Sequence, residues 1–244
     1  MSKKGILLIN LGTPDSPSTS DVRKYLKEFL MDERVIDIHP ALRTLLVKGI
    51  ILPFRSPKSA KLYQQIWDER TGSPLMFYSK LQQKLLQQRL GPDYQVELAM
   101  RYQNPSIEQA LNTLRSASVN SIRVIAMFPQ YASASSGSVY QEVMAVRRRL
   151  PIIPDVSFVN HFYENELMIE AFADNGAALE PQNYDHILFS FHGVPQRHLI
   201  KSGCTLNHGK GENRCGENLN EKNKSCYAAQ CYRTAHLIAD RLNL

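Results

Sequence analysis

Short apolar runs that stop at glycine, proline or a polar turn, all but the last followed by a stretch of helical periodicity or a further run, constrain this chain most. Gly5–Asn10, Tyr94–Tyr102, Ile122–Phe128, Val156–Phe162 and Ile187–Phe191 are such runs. A nearly unbroken apolar run fits a strand buried on both faces, as in a parallel sheet covered by helices. Between the runs, Val22, Tyr25, Leu26, Phe29 and Leu30 recur at helical spacing behind the capping residues Ser18–Asp21. Leu81, Leu85 and Leu86 do the same before Leu90, and Asn104-Pro105 is expected to cap and open a helix burying Ile107, Ala110, Leu111 and Leu114. Strands alternating with helices predict an α/β protein with parallel sheets. Pro151 and Pro154 mark a boundary, so two similar domains are expected, 1–150 and 151–244, the second incomplete because only two strands follow the boundary.

Composition narrows the function classes. An apolar share of 43% with 21% charged residues is that of a soluble globular protein. The net charge of +6 favours acidic partners such as anionic lipid or a polycarboxylate, while scattered Lys and Arg without a nucleic-acid motif argue against nucleic acid. No apolar run approaches the ~20 residues that span a bilayer, and Gly5–Asn10 is too short for a signal peptide core. A cytoplasmic location is expected, with cysteines not organised as disulfides.

Chemistry is expected where strands end, because open parallel sheets bind ligands at their carboxyl ends. Ile187–Phe191 ends at His192-Gly193 and, two residues later, Pro195. His192 is therefore the candidate functional side chain, and a histidine satisfied at the edge of the core is the competing reading. His186, at the other end of the run, reads as structural, and His198 as a surface residue. The Gly5–Gly12 strand and turn lack Gly-x-Gly-x-x-Gly, so a dinucleotide site is rejected. The small-residue loop Pro129–Ser138 either offers amides to an anion or simply joins a strand to a helix. In residues 35–57, Leu42, Leu45, Leu46, Val47, Ile50, Ile51, Leu52 and Phe54 nearly encircle a helix that also carries Arg43, Lys48 and Arg55. Such a helix is either buried core or the wall of a large apolar ligand site or membrane contact.

Leu188-Phe189-Ser190-Phe191-His192-Gly193-Val194-Pro195 resembles the signature of the ferrochelatases, which insert ferrous iron into a porphyrin. Ile9-Asn10-Leu11-Gly12-Thr13-Pro14, Thr71-Gly72-Ser73-Pro74-Leu75, Met100-Arg101-Tyr102 and Phe128-Pro129-Gln130-Tyr131 resemble the same family in the same order. The resemblance implies two Rossmann-like domains, a porphyrin cleft between them, and a lip at 35–57 that also faces a membrane. It implies a lyase that completes protoheme from Fe²⁺ and protoporphyrin IX. His192 is then the catalytic residue, as proton acceptor or iron ligand. Arg101, Arg43 and Arg55 become candidate propionate anchors, and Met76 and Tyr102 candidate ring contacts. The family continues beyond a point matching Leu244, so a shortened chain is expected. The alternative is a non-catalytic metal- or porphyrin-binding fragment that needs a partner for the other half.

Lys201–Ser225 has almost no sizeable apolar residue and cannot build its own core. Cys204, Cys215, Cys226 and Cys231 are spaced through and just beyond it, which suggests that a metal organises the segment. The candidates are a [2Fe–2S] cluster, a Cys₄ zinc site or unrelated thiols; the close Cys-x-x-Cys pairs usual for zinc are missing. Some ferrochelatases carry such a cluster on an internal segment. Cys226, at the start of a helix, is expected to be held toward thiolate by the amide dipoles.

Overall fold

The computed structural model describes residues 3–150, 154–204, 219–221 and 223–244. Two compact units emerge: the described residues up to Met127 with Ala134–Asn160, and Phe128–Ser133 with the described residues from His161 onward.

The first unit holds a four-stranded, wholly parallel sheet. β1 (Lys4–Gly12) is followed by α1 (Thr19–Met31), and then by a continuous helical stretch made of α2 (Pro40–Thr44), a π-helical segment Leu45–Ile51 and α3 (Leu52–Ile66). Then come α4 (Pro74–Leu90), β2 (Tyr94–Tyr102), α5 (Ile107–Ser116), β3 (Ser121–Ala126), a π turn at Ser133–Gly137, α6 (Ser138–Arg147) and β4 (Asp155–Val159). The strand order is β2-β1-β3-β4, with Ile6 opposite Val96 on one side and Arg123 on the other. β1 is central, so Ile6–Ile9 are all buried, and its unbroken apolar run has its cause in helices on both faces.

Local signals explain the helix ends. Ser18 caps α1 by accepting from the Asp21 amide, and Val22, Tyr25, Leu26 and Leu30 turn inward. One helix boundary differs from expectation: Ser106, not Asn104, caps α5, which starts at Ile107. Ser106 and Gln109 form a reciprocal capping box that satisfies two otherwise orphaned amides. Gly12 turns the chain at the end of β1 with φ +119°, and a Cβ there would lie 2.1 Å from the Tyr102 carbonyl oxygen. Only glycine fits.

Two expectations fail. Val156–Phe162 does not open a second sheet: as β4 it pairs with β3 and completes the first, so the first compact unit runs to Asn160 rather than to residue 150. In the second unit, Ile187–Phe191 is not a strand. Tyr184–Pro195 has no regular structure, and Leu188 is 90% exposed. Apolar content favours a strand only when a neighbour supplies the ladder, and no described segment of this unit does.

The second unit is helical. α7 (Glu166–Ala177) and α9 (Tyr227–Leu242) pack through Ile169, Ala173, Ile238 and Leu242, with the short α8 (Gln196–Lys201) between them in sequence.

Candidate functional site

In the first unit, the carboxyl end of β2 carries Arg101 and Tyr102 into a cluster closed by Asp32 and Ser138. α1 ends just before Asp32, and α6 begins at Ser138, so three elements converge on one carboxylate. Arg101 Nη2 lies 2.7 Å from Asp32 Oδ2, and the Tyr102 hydroxyl donates to the same oxygen at 2.8 Å. The Ser138 hydroxyl also donates to it, while Arg101 Nε donates to the Ser138 carbonyl at 3.1 Å. The Arg34 amide donates to Asp32 Oδ1 at 2.8 Å. Burial alone would raise the pKa of Asp32. The hydrogen bonds from Ser138, the Arg34 amide and Tyr102, with the Arg101 charge, overcome it and hold the carboxyl below the usual carboxylate range. Burial, then the neighbouring carboxylate, push the Tyr102 phenol upward.

This cluster uses up much of what the residues could offer a ligand. Tyr102 is 1% exposed, its ring edge-on to Phe29, so it serves the interior rather than presenting a face. Arg101 keeps some exposure and lines a cavity of about 410 Å³ with Glu28, Gln103 and Glu142. Arg43 is buried, with Nη1 donating to the Ile36 carbonyl at 3.1 Å, whereas Arg55 is exposed. Met76 faces a separate cavity of about 600 Å³, shared with Thr13, Trp67, Ser73 and Lys80.

The helical stretch Pro40–Ile66 resolves the two readings of residues 35–57 into two faces. Val47, Leu52 and Ala60 join the core beside α1. Leu42, Leu45, Ile50, Phe54, Leu62 and Ile66 stand exposed, beside the exposed Lys48, Arg55 and Lys58. No described helix is long and apolar enough to cross a membrane.

In the second unit, His192 is exposed on the wall of a largely apolar cavity of about 680 Å³, with Met168, Phe172, Phe191 and Tyr227. The Tyr227 hydroxyl donates to the His192 carbonyl at 2.9 Å. His186 lines the same cavity, and His198 is half-buried on α8 rather than on the surface.

Cys226 caps α9 and is buried, as is Cys231; Cys204 is half-buried beside Cys226, and Cys215 lies outside the described residues. The thiolate expected at Cys226 is not favoured: burial pushes its thiol up, and the amides of Ala229 and Ala228 only partly offset it. Cys231 is pushed up to about 11 by burial, against a hydrogen bond from Tyr227. Among the described residues no three His, Cys, Asp or Glu side chains gather closely enough to hold a metal. The described cysteines thus do not by themselves form a cluster or zinc site.

A family model described as Ferrochelatase matches residues 3–244. The chain belongs to the ferrochelatase family. Among ferrochelatase relatives, that of Coxiella burnetii (strain RSA 493 / Nine Mile phase I) is 42% identical over 247 aligned positions, covering 100% of this chain and 67% of its own length. That of Legionella pneumophila (strain Corby) is 42% identical over 245, covering 99% of this chain and 71% of its own. The chain therefore spans about two thirds of these ferrochelatases. Of the clustered residues, Asp32, Ser138 and Tyr227 escaped the sequence reading. Asp32 is a charge directly after an amphipathic helix, and Tyr227 sits beside a singled-out cysteine; neither signal says what the side chain will meet.

Proposed function

We propose that the chain inserts ferrous iron into protoporphyrin IX to form protoheme. The observation that carries this reading is the family match along the whole chain, which includes the His192 segment. Insertion requires that two pyrrole protons leave as Fe²⁺ takes the four ring nitrogens. A neutral imidazole offers one lone pair for that exchange, to a proton or to the metal. The apolar cavity beside His192 suits a flat apolar ring; Arg101 and Arg55 are the proposed propionate anchors and Met76 a proposed ring contact, while the buried Arg43 and Tyr102 serve the interior. Of these, exposure favours Arg55 most. The test is an oxygen-free assay of Fe²⁺ insertion with the wild-type chain and His192→Ala. Turnover that vanishes in the variant supports the reading; undiminished turnover removes His192 from the chemistry.

Three finer readings attach to it. The exposed apolar stripe of Pro40–Ile66 and its cations support peripheral attachment to an anionic membrane surface from the cytoplasmic side. The hydrogen-bonded pair Cys204 and Cys226 supports a [2Fe–2S] or zinc site completed by Cys215 and Cys231. Iron, sulfide and zinc analysis of protein purified without oxygen decides between them, and the absence of all three leaves free thiols. The exposure of Ile187, Leu188, Phe189 and Phe191 favours the second reading of the whole chain, a porphyrin- or metal-binding chain that works only with a partner. No insertion by the isolated chain, alongside retained porphyrin binding, would support it.

A further inference from the structure

Tyr227 is the second observation beside His192 that the insertion reading does not absorb. Residues 184–195 form no ladder, and the side chains of Ile187, Leu188, Phe189 and Phe191 are each more than a third exposed. Backbone this weakly held does not, by itself, fix a histidine in one place. Among the described residues, the hydrogen bond from the Tyr227 hydroxyl to the His192 carbonyl, at 2.9 Å, is the only one that reaches residues 187–193. It arrives from the first residue of α9, a sixteen-residue helix that is itself well anchored.

The anchoring is polar and buried. Gln230, fully buried one turn along α9, accepts from the Tyr131 amide at 2.7 Å and donates to the Lys224 carbonyl at 2.6 Å. Thr234, another turn on, donates to the Tyr163 carbonyl at 2.8 Å. Tyr227 therefore stands on a well-anchored helix, with its hydroxyl as the donor to the His192 carbonyl. The sulfur of Cys231, one turn further along the helix, competes for that hydroxyl's single proton.

We propose that Tyr227 is a positioning residue: its hydroxyl pins the main chain at His192, so that the imidazole is held against the cavity from a segment with no other hydrogen bond among the described residues. This rests on the reading of His192 as the reacting side chain. A reacting group that is free to wander loses rate rather than affinity, because the substrate still binds while fewer bound complexes are in reacting geometry.

Tyr227→Phe keeps the ring and removes only the hydroxyl, so it isolates the bond. Protein labelled with carbonyl-¹³C histidine and ¹⁵N glycine shows only the His192-Gly193 and His208-Gly209 pairs, and His192→Ala identifies the first. In Tyr227→Phe the His192 carbonyl resonance is expected to move upfield. In the oxygen-free insertion assay kcat is expected to fall about five- to tenfold, the worth of one neutral hydrogen bond, with KM for porphyrin unchanged. Cys231→Ala leaves the phenol proton to the His192 carbonyl alone, so the resonance is expected to stay in place or to move downfield. An unmoved resonance in Tyr227→Phe overturns the proposal whatever the turnover. So does the same upfield shift in Cys231→Ala, which would mean that the helix end had loosened rather than lost one bond. Turnover abolished by His192→Ala but untouched by Tyr227→Phe removes the role of Tyr227 alone. Turnover that survives His192→Ala removes the reading beneath it.

Discussion

Asp32 shows what one buried carboxylate does when three elements donate to it. Its carboxyl accepts from Arg101, Tyr102, Ser138 and the Arg34 amide while only 4% of its side chain is exposed. Asp32→Asn keeps the shape but leaves the Arg101 guanidinium with only its 4.0 Å contact to Glu142 as a charge partner, and the expected loss is about 3 kcal/mol in urea unfolding. The sign of its pH dependence follows from the lowered pKa. Asp32 binds its proton less readily folded than unfolded, so its stabilisation is complete above the unfolded value, about 4, and drains away as pH falls through the folded one. Acid unfolding of the wild type is thus expected to steepen below about pH 4 relative to Asp32→Asn. Parallel acid-unfolding curves would contradict this. Arg101 and Tyr102 stood out in the chain through a family motif, but their partner did not, since seventy positions separate Asp32 from Tyr102 and only the fold closes that gap.

At the scale of elements, local sequence and tertiary context divide the work unevenly. The capping box at Ser106 and Gln109 is written in four consecutive residues, and Ser106→Ala is expected to cost about 1 kcal/mol, read as a shift in the urea midpoint. Gly12 depends on its neighbour strand. Gly12→Ala would drive a methyl into the Tyr102 carbonyl, so a loss larger than that of the cap is expected in the same measurement. The helical stretch Pro40–Ile66 carries apolar residues around its circumference, and periodicity alone could not say which would face the core. The π-helical segment Leu45–Ile51 winds more widely than an α-helix, and Val47 goes inward while Leu45 and Ile50 stay out. Leu45→Glu with Phe54→Glu is expected to weaken co-sedimentation with anionic vesicles severalfold and leave the circular dichroism spectrum unchanged. Undiminished vesicle binding would dismiss this face as the membrane contact.

For the whole molecule, the contrast lies between β1 and Ile187–Phe191, two apolar runs of similar texture with opposite fates. β1 has a parallel neighbour on each side, and its amides at Leu7–Ile9 are expected to exchange with solvent only on global unfolding. The amides of Ile187–Phe191 are expected to exchange orders of magnitude faster, and slow exchange there would contradict the structure described above. The chain by itself determined the α/β class, the parallel first sheet, the start of α1 behind its Ser18 cap, and the family, because periodicity, caps and motifs are encoded in short stretches. Only the tertiary structure decided that Val156–Val159 joins the first sheet, that Asp32 and Ser138 hold Arg101, that burial raises the pKa of the Cys226 and Cys231 thiols, and that the Tyr227 hydroxyl meets the His192 carbonyl. Each of these is a matter of which groups meet across long separations in sequence, and a strand, an ion pair or an anchored carbonyl exists only when its partner arrives.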